Sequence, residues 1–194
     1  YYTEGAGAPA NAICAGGYSS TAEYTAITEI WNGTSWSEDG DLSTARRDAA
    51  ASGTGSLAIL MGGTTPPVSA LTEEWSGPGA DIGAWSTGAT MNTARNALAG
   101  AGNSTTAALA FGGNTSPKAQ TELYDGTSWT EVSDLNTGRG VLAGGGSSTA
   151  AIAFGGNVSP RAQAETWDGS SWTEVGDLNT GREYLAGCGT STNA

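Results

Sequence analysis

An all-β fold is predicted, a β-propeller of four-stranded antiparallel blades. Three observations predict it: an internal repeat in four ordered copies, a composition suited to short strands and tight turns, and a hairpin signal inside the repeat. Gly-Gly pairs fall at Gly16-Gly17, Gly62-Gly63, Gly112-Gly113 and Gly155-Gly156. After each pair comes an aromatic at Trp31, Trp75, Tyr124 or Trp167, then a second at Trp36, Trp85, Trp129 or Trp172. An Arg stands ten residues after the second aromatic in every copy: Arg46, Arg95, Arg139 and Arg182. Residues 111–139 (FGGNTSPKAQTELYDGTSWTEVSDLNTGR) and 154–182 (FGGNVSPRAQAETWDGSSWTEVGDLNTGR) make the identity plain. Gly supplies 31 of the 194 residues and charged residues only 13%, a mixture that favours strands and turns over long helices.

Each repeat divides into four strands. The first follows the Arg and is small and apolar, as at 98–102 (LAGAG). A Ser/Thr turn leads to the second, Ala107–Phe111, which ends on Gly-Gly. The third is Thr121–Tyr124, and the Asp125-Gly126 turn leads to a fourth at 128–132. Asp-Gly between β-prone runs is a strong hairpin signal. Four strands in roughly 45 residues is the spacing of one blade. The second repeat departs from this: Trp75 and Trp85 are ten residues apart where the others have five, and 76–79 (SGPG) predicts a longer hairpin.

The repeats run approximately 1–45, 46–94, 95–138 and 139–181 of one domain spanning 1–194, with an extra first strand in 182–194. Two arrangements fit. The chain is a segment of a longer propeller, or four blades close on themselves while the terminal strands compete for one place. In the second case the spare strand can also pair with another molecule.

The ordered set of Gly-Gly, Tyr or Trp, Trp and Arg resembles the kelch repeat, and the resemblance covers essentially the whole chain. It implies a ring whose first strands line a central channel and whose fourth strands lie outside; kelch rings usually have six or seven blades. The Ala-rich Asn-Gly-Thr-Ser-Trp texture is also similar to kelch-type proteins of marine bacteriophages and bacteria, which implies a virion or extracellular surface location.

The recurring residues suit blade architecture. Small residues let inner strands converge, and Trp36, Trp85, Trp129 and Trp172 fill the gaps where blades splay outward. A Glu stands two residues before each first aromatic: Glu29, Glu73, Glu122 and Glu165. Period-two geometry puts Glu and aromatic on one sheet face, where a carboxylate needs a partner. Arg46, Arg95, Arg139 and Arg182 are the candidates, giving a ring of buried Glu–Arg pairs. An acid/base role for two of these carboxylates is the competing reading. A residue present in every blade is better explained by the blade, since a catalytic site is usually unique.

Composition narrows function further. The net charge of −12 and the absence of a basic patch argue against nucleic-acid binding and against anionic membranes. No apolar run is long enough to cross a bilayer, and the N-terminus lacks the pattern of a signal peptide. There is no His, and two Cys alone make no zinc site, so neither an enzyme nor a metal or other cofactor is expected. The Asp-Gly turns at Asp125 and Asp168 lack the spaced acidic ligands of a calcium loop and read as hairpin turns. Triplets at Asn32, Asn103, Asn114 and Asn157 match the glycosylation pattern, which turn chemistry also produces.

The segments after Gly-Gly vary most, and loops on a rigid scaffold are where recognition tends to sit. Tyr18, Asn114, Lys118, Asn157 and Arg161 are the candidate contacts there for a glycan. The competing reading is solvated loops. Cys14 and Cys188 are either two free thiols in place of Ala or Gly, or a disulfide across the seam where the last strand meets the first blade. The expected function is a structural or adhesive module of an extracellular or virion assembly, with protein partners or self-assembly. The alternative is a carbohydrate-binding, lectin-like propeller.

Overall fold

A computed structural model describes residues 3–21, 23–77, 83–115 and 119–189. The described residues are all-β, with sixteen strands in four antiparallel sheets arranged as a four-bladed propeller. The first blade is β1 (Glu4–Ala8), β2 (Asn11–Ala15), β3 (Thr28–Trp31) and β4 (Trp36–Asp39). The second is β5 (Ala50–Gly53), β6 (Leu57–Met61), β7 (Thr72–Ser76) and β8 (Ala84–Thr87). The third is β9 (Ala99–Ser104), β10 (Ala107–Phe111), β11 (Thr121–Tyr124) and β12 (Trp129–Val132). The fourth is β13 (Ala143–Ser147), β14 (Ala150–Phe154), β15 (Ala164–Trp167) and β16 (Trp172–Glu174). Each blade is a simple meander in sequence order. The long hairpin of the second repeat falls at β7–β8; its residues 78–82, which include Pro78 and Gly79, lie outside the described residues.

The inner strands pack in succession, β1 on β5, β5 on β9 and β9 on β13. Residues 184–189 form no ladder, yet they sit against β13 as β13 sits against β9. A Cβ on Gly187 would lie 3.1 Å from the Phe154 ring, as one on Gly144 would meet Phe111 and one on Gly100 would meet Met61. The backbone repeats the same link. Ala97 N–H donates to Asp48 C=O at 2.7 Å, Val141 to Ala97 at 2.8 Å and Tyr184 to Val141 at 3.1 Å. All four of these residues take positive φ, between 53° and 57°.

The core lies between blades. Leu109, Phe111 and Leu135 of the third repeat pack with Ala151, Ala153, Trp167 and Trp172 of the fourth. Ile59, Met61 and Met91 pack with Ala108, Ala110, Tyr124 and Trp129. Ile13 packs with Ala58 and Trp75. Each blade therefore has a leading face, turned to the preceding blade, and a trailing face, turned to the next. Cross-strand partners share a face, so the leading face of the first blade carries Ala12, Cys14, Glu29, Trp31 and Trp36. On the fourth blade the same places hold Ala151, Ala153, Glu165, Trp167 and Trp172.

Candidate functional site

The Gly-Gly pair exists because the next linker passes beneath it. Gly16, Gly62, Gly112 and Gly155 have φ between 66° and 71°, and a Cβ there would fall 2.5 to 2.7 Å from the carbonyl oxygen of Arg46, Arg95, Arg139 or Arg182. The second glycine's N–H donates to that same carbonyl, at 2.8 Å for Arg46 and Arg95, 3.0 Å for Arg139 and 2.9 Å for Arg182. Each Arg backbone is thus pinned to the blade before it, and the side chains of Arg46, Arg95 and Arg139 reach forward into the blade after it.

There it meets the recurring Glu. Arg46 Nη2 lies 2.9 Å from Glu73 Oε1, Arg95 Nη2 lies 2.8 Å from Glu122 Oε1, and Arg139 Nη1 pairs with Glu165 Oε1. All six side chains are buried. The second carboxylate oxygen accepts a backbone N–H from the linker: Ser43 on Glu73 at 2.8 Å, Asn92 on Glu122 at 2.7 Å and Asn136 on Glu165 at 2.7 Å. Arg95 also donates to the carbonyls of Gly112 and Gln120, and Arg139 to those of Gly155 and Thr137. Arg46 makes its ion contact without a well-aligned hydrogen bond. Burial pulls the Arg46 and Arg95 guanidinium groups below their ordinary value, and the paired carboxylates offset this.

The expected fourth pair does not form. Glu29 and Arg182 are both exposed, and among the described residues neither joins an ion pair. Trp36 likewise departs from the expected wedge: it is 49% exposed, against 7% for Trp129 and 5% for Trp172. The reason lies in what each ring needs. Trp85 Nε1 donates to Thr28 Oγ1, Trp129 to Thr72 and Trp172 to Thr121, always on the preceding blade. Glu29 and Trp36 face the side of the first blade where, among the described residues, no preceding blade supplies such an acceptor.

The loop candidates separate in the same way. Asn114 and Asn157 meet, with Asn157 Nδ2 donating to Asn114 Oδ1 at 2.8 Å and Asn157 Oδ1 accepting from Gly140 N–H at 3.1 Å, so they tie neighbouring loops together. Arg161 pairs with Glu183 at 3.2 Å on the surface. Lys118 lies outside the described residues. Tyr18 stands edge-on to Tyr24 with 5.7 Å between ring centroids, and the Arg47 guanidinium lies 4.8 Å from the Tyr18 ring centroid. The Asp-Gly turns are hairpin turns: Asp125 Oδ1 accepts from the N–H groups of Thr127 and Ser128, and Asp168 Oδ1 from those of Ser170 and Ser171. The hydroxyls of Thr127 and Ser170 donate to the same oxygens at 2.7 and 2.8 Å, and with these amides they hold both carboxyls down at about 2.

Sequence reasoning missed the group at the channel mouth. Glu4 opens β1 in register with Ala15, where Ala50, Ala99 and Ala143 open the other inner strands in register with Met61, Phe111 and Phe154. It lines two open cavities of the channel, about 570 and about 890 Å³, the larger of which also includes Tyr18 and Asp48. Desolvation, helped by the nearby Asp48 charge, pushes the Glu4 carboxyl up to about 8. Desolvation also raises Asp48, against the pull of Arg47. The signal available in the sequence was the mismatch itself, a Glu where three aligned strands have Ala.

Both cysteines are free, with Cys14 Sγ 3.0 Å from Thr3 Oγ1 and Cys188 exposed beside the channel. No cluster of three or more His, Cys, Asp or Glu side chains is placed to hold a metal ion among the described residues. No helix among them is long and apolar enough to cross a membrane. The chain matches no protein-family model and no curated protein.

Proposed function

We propose that this protein is a non-enzymatic structural or adhesive module of an extracellular or virion assembly, built on kelch-type repeats. The observation that carries this reading is the use made of the recurring charged groups. Glu73, Glu122 and Glu165 are sealed between blades, each held by an Arg and a backbone amide. Carboxylates so placed brace a scaffold and are closed to substrate. A rigid acidic scaffold with varied loops suits display and contact. Panels of glycoside, ester and phosphate substrates test the non-enzymatic part: no turnover above buffer is expected, and turnover abolished by Glu4→Gln would overturn it. Antibody labelling tests the location. Labelling of intact virions or cell surfaces of the source is expected, and labelling confined to the cell interior would contradict it.

A second reading, carbohydrate binding, is favoured by one observation: Tyr18 lies at a channel mouth that also holds Glu4 and Asp48. An aromatic ring beside carboxyl groups that can donate or accept hydrogen bonds is the chemistry that holds a sugar ring and its hydroxyls. Glycan-array binding lost in Tyr18→Ala supports this reading, and an array without signal removes it.

A further inference from the structure

We propose that the central channel of the propeller binds a small ligand carrying a primary ammonium group on an aliphatic stem, with the ammonium held by Glu4 and Asp48. This goes beyond the scaffold reading and does not rest on it. A sugar at the same mouth needs hydroxyls and no charge, so the two ligand classes part on charge.

Three acids inside the propeller show what a desolvated carboxylate takes. Glu73, Glu122 and Glu165 each hold an Arg guanidinium and a backbone amide. Glu4 has neither: among the described residues it joins no ion pair and no hydrogen bond. It lines both cavities of the channel. The two cavities also share Gly5, Ala51, Gly100, Gly144 and Gly187, so they are continuous and Glu4 stands where they join. Asp48 lines the larger one, and among the described residues no Lys or Arg lines either. Arg47 lies 3.4 Å from Asp48, but its guanidinium stands over the rings of Tyr18 and Tyr24, outside the cavity lining.

The lining also sets what the cation must be attached to. Leu98, Val141, Leu142 and Leu185 line the larger cavity with the two acids. Acids of one sign among apolar walls concentrate their field on a cation. A bare metal ion would lose its hydration there without enough oxygen ligands in return, since no group of three or more His, Cys, Asp or Glu is placed to hold one among the described residues. An alkylammonium loses less, because its stem lies on the aliphatic wall while its head meets the carboxylates. Ser52 lines the smaller cavity, and its buried hydroxyl has no hydrogen-bond partner in the chain, a further polar group left open to a ligand. The other titratable groups of the lining are Tyr18 and Tyr184 in the larger cavity and Cys14 and Cys188 in the smaller. Desolvation and the Asp48 charge leave Glu4 mostly protonated at neutral pH, so an arriving ammonium ion takes the place of that proton, which passes to the buffer.

Titration of the full chain with n-butylammonium, followed by NMR, tests this. It should bind saturably and at least about 10-fold more tightly than n-butanol, butyrate or methylammonium, which lack the charge, reverse it or lack the stem. Glu4→Gln should weaken binding at least about 10-fold and Asp48→Asn by about 3-fold, each with an unchanged circular dichroism spectrum. Calorimetry at neutral pH in two buffers of different ionisation enthalpy should show proton release on binding to the wild-type chain and none with Glu4→Gln. The ligand series on the wild-type chain decides by itself if Glu4→Gln fails to fold. No saturable binding, n-butanol or methylammonium bound as tightly as n-butylammonium, calcium bound in its place, or binding unchanged in a folded Glu4→Gln chain would each overturn the proposal. Methyl glucoside bound at the mouth where n-butylammonium is not would overturn it as well and leave the sugar reading standing, so the two failures are distinguishable.

Discussion

The leading faces of the first and fourth blades carry nearly the same side chains in the same register and live in different surroundings. Glu165, Trp167 and Trp172 are buried, whereas Glu29 and Trp36 are exposed and Trp31 is half-buried. Strand pairing does not distinguish them, since Glu29 opposes Glu38 as Glu165 opposes Glu174. The neighbour does. Beside the fourth blade lie Phe111 and Leu135, the Asn136 amide and the Arg139 guanidinium. The repeated motif is therefore half of an interface. Its Glu is a buried acid only where the preceding linker supplies an Arg and an amide, and otherwise it is an ordinary surface carboxylate.

Removing the brace gives the largest contrast. Glu165→Ala strands a buried guanidinium and should cost about 3–5 kcal/mol, while Glu29→Ala should stay within about 0.5 kcal/mol of wild type. Urea unfolding of the two variants measures both. The wedge comes next: Trp172→Ala should cost about 3 kcal/mol, and Trp36→Ala no more than about 1 kcal/mol in the dilute monomer.

A third effect sharpens the comparison along the inner strands, where Glu4 replaces the Ala of the other three. Its folded-state value is raised from 4.5 to about 8, so the folded chain holds this proton more tightly than the unfolded chain. The contribution of this group is therefore fully present below about pH 4.5 and is lost as pH rises through about 8. Glu4→Gln should flatten that slope, and thermal melts at acid and alkaline pH measure it. The smallest effect is at the hairpins. Asp125 and Asp168 sit at about 2 against 3.8, so their contribution is present above 3.8 and lost as pH falls through about 2. Carboxyl titration followed by NMR should find both among the most acidic groups.

Much of the fold was legible because its punctuation is local. Ala107–Phe111 and Thr121–Tyr124 are bounded by Gly-Gly and Asp-Gly, and β10 and β11 occupy those residues. Three Glu–Arg pairs followed from period-two geometry and the need of a buried acid for a base. The open faces at Glu29 and Arg182 were not legible, because a residue's burial on a blade face depends on the adjacent blade. Glu4 escaped notice since one residue at the edge of a repeat carries no periodic signal. The Asn114–Asn157 bond joins loops 43 positions apart and leaves no mark in local composition.

Double-mutant cycles on the two homologous pairs, run in the dilute monomer, test the central claim most directly. Arg139 and Glu165 should couple by about 2 kcal/mol, and Arg182 and Glu29 by nothing beyond experimental error. Equal coupling in the two pairs, or none between Arg139 and Glu165, would contradict the account.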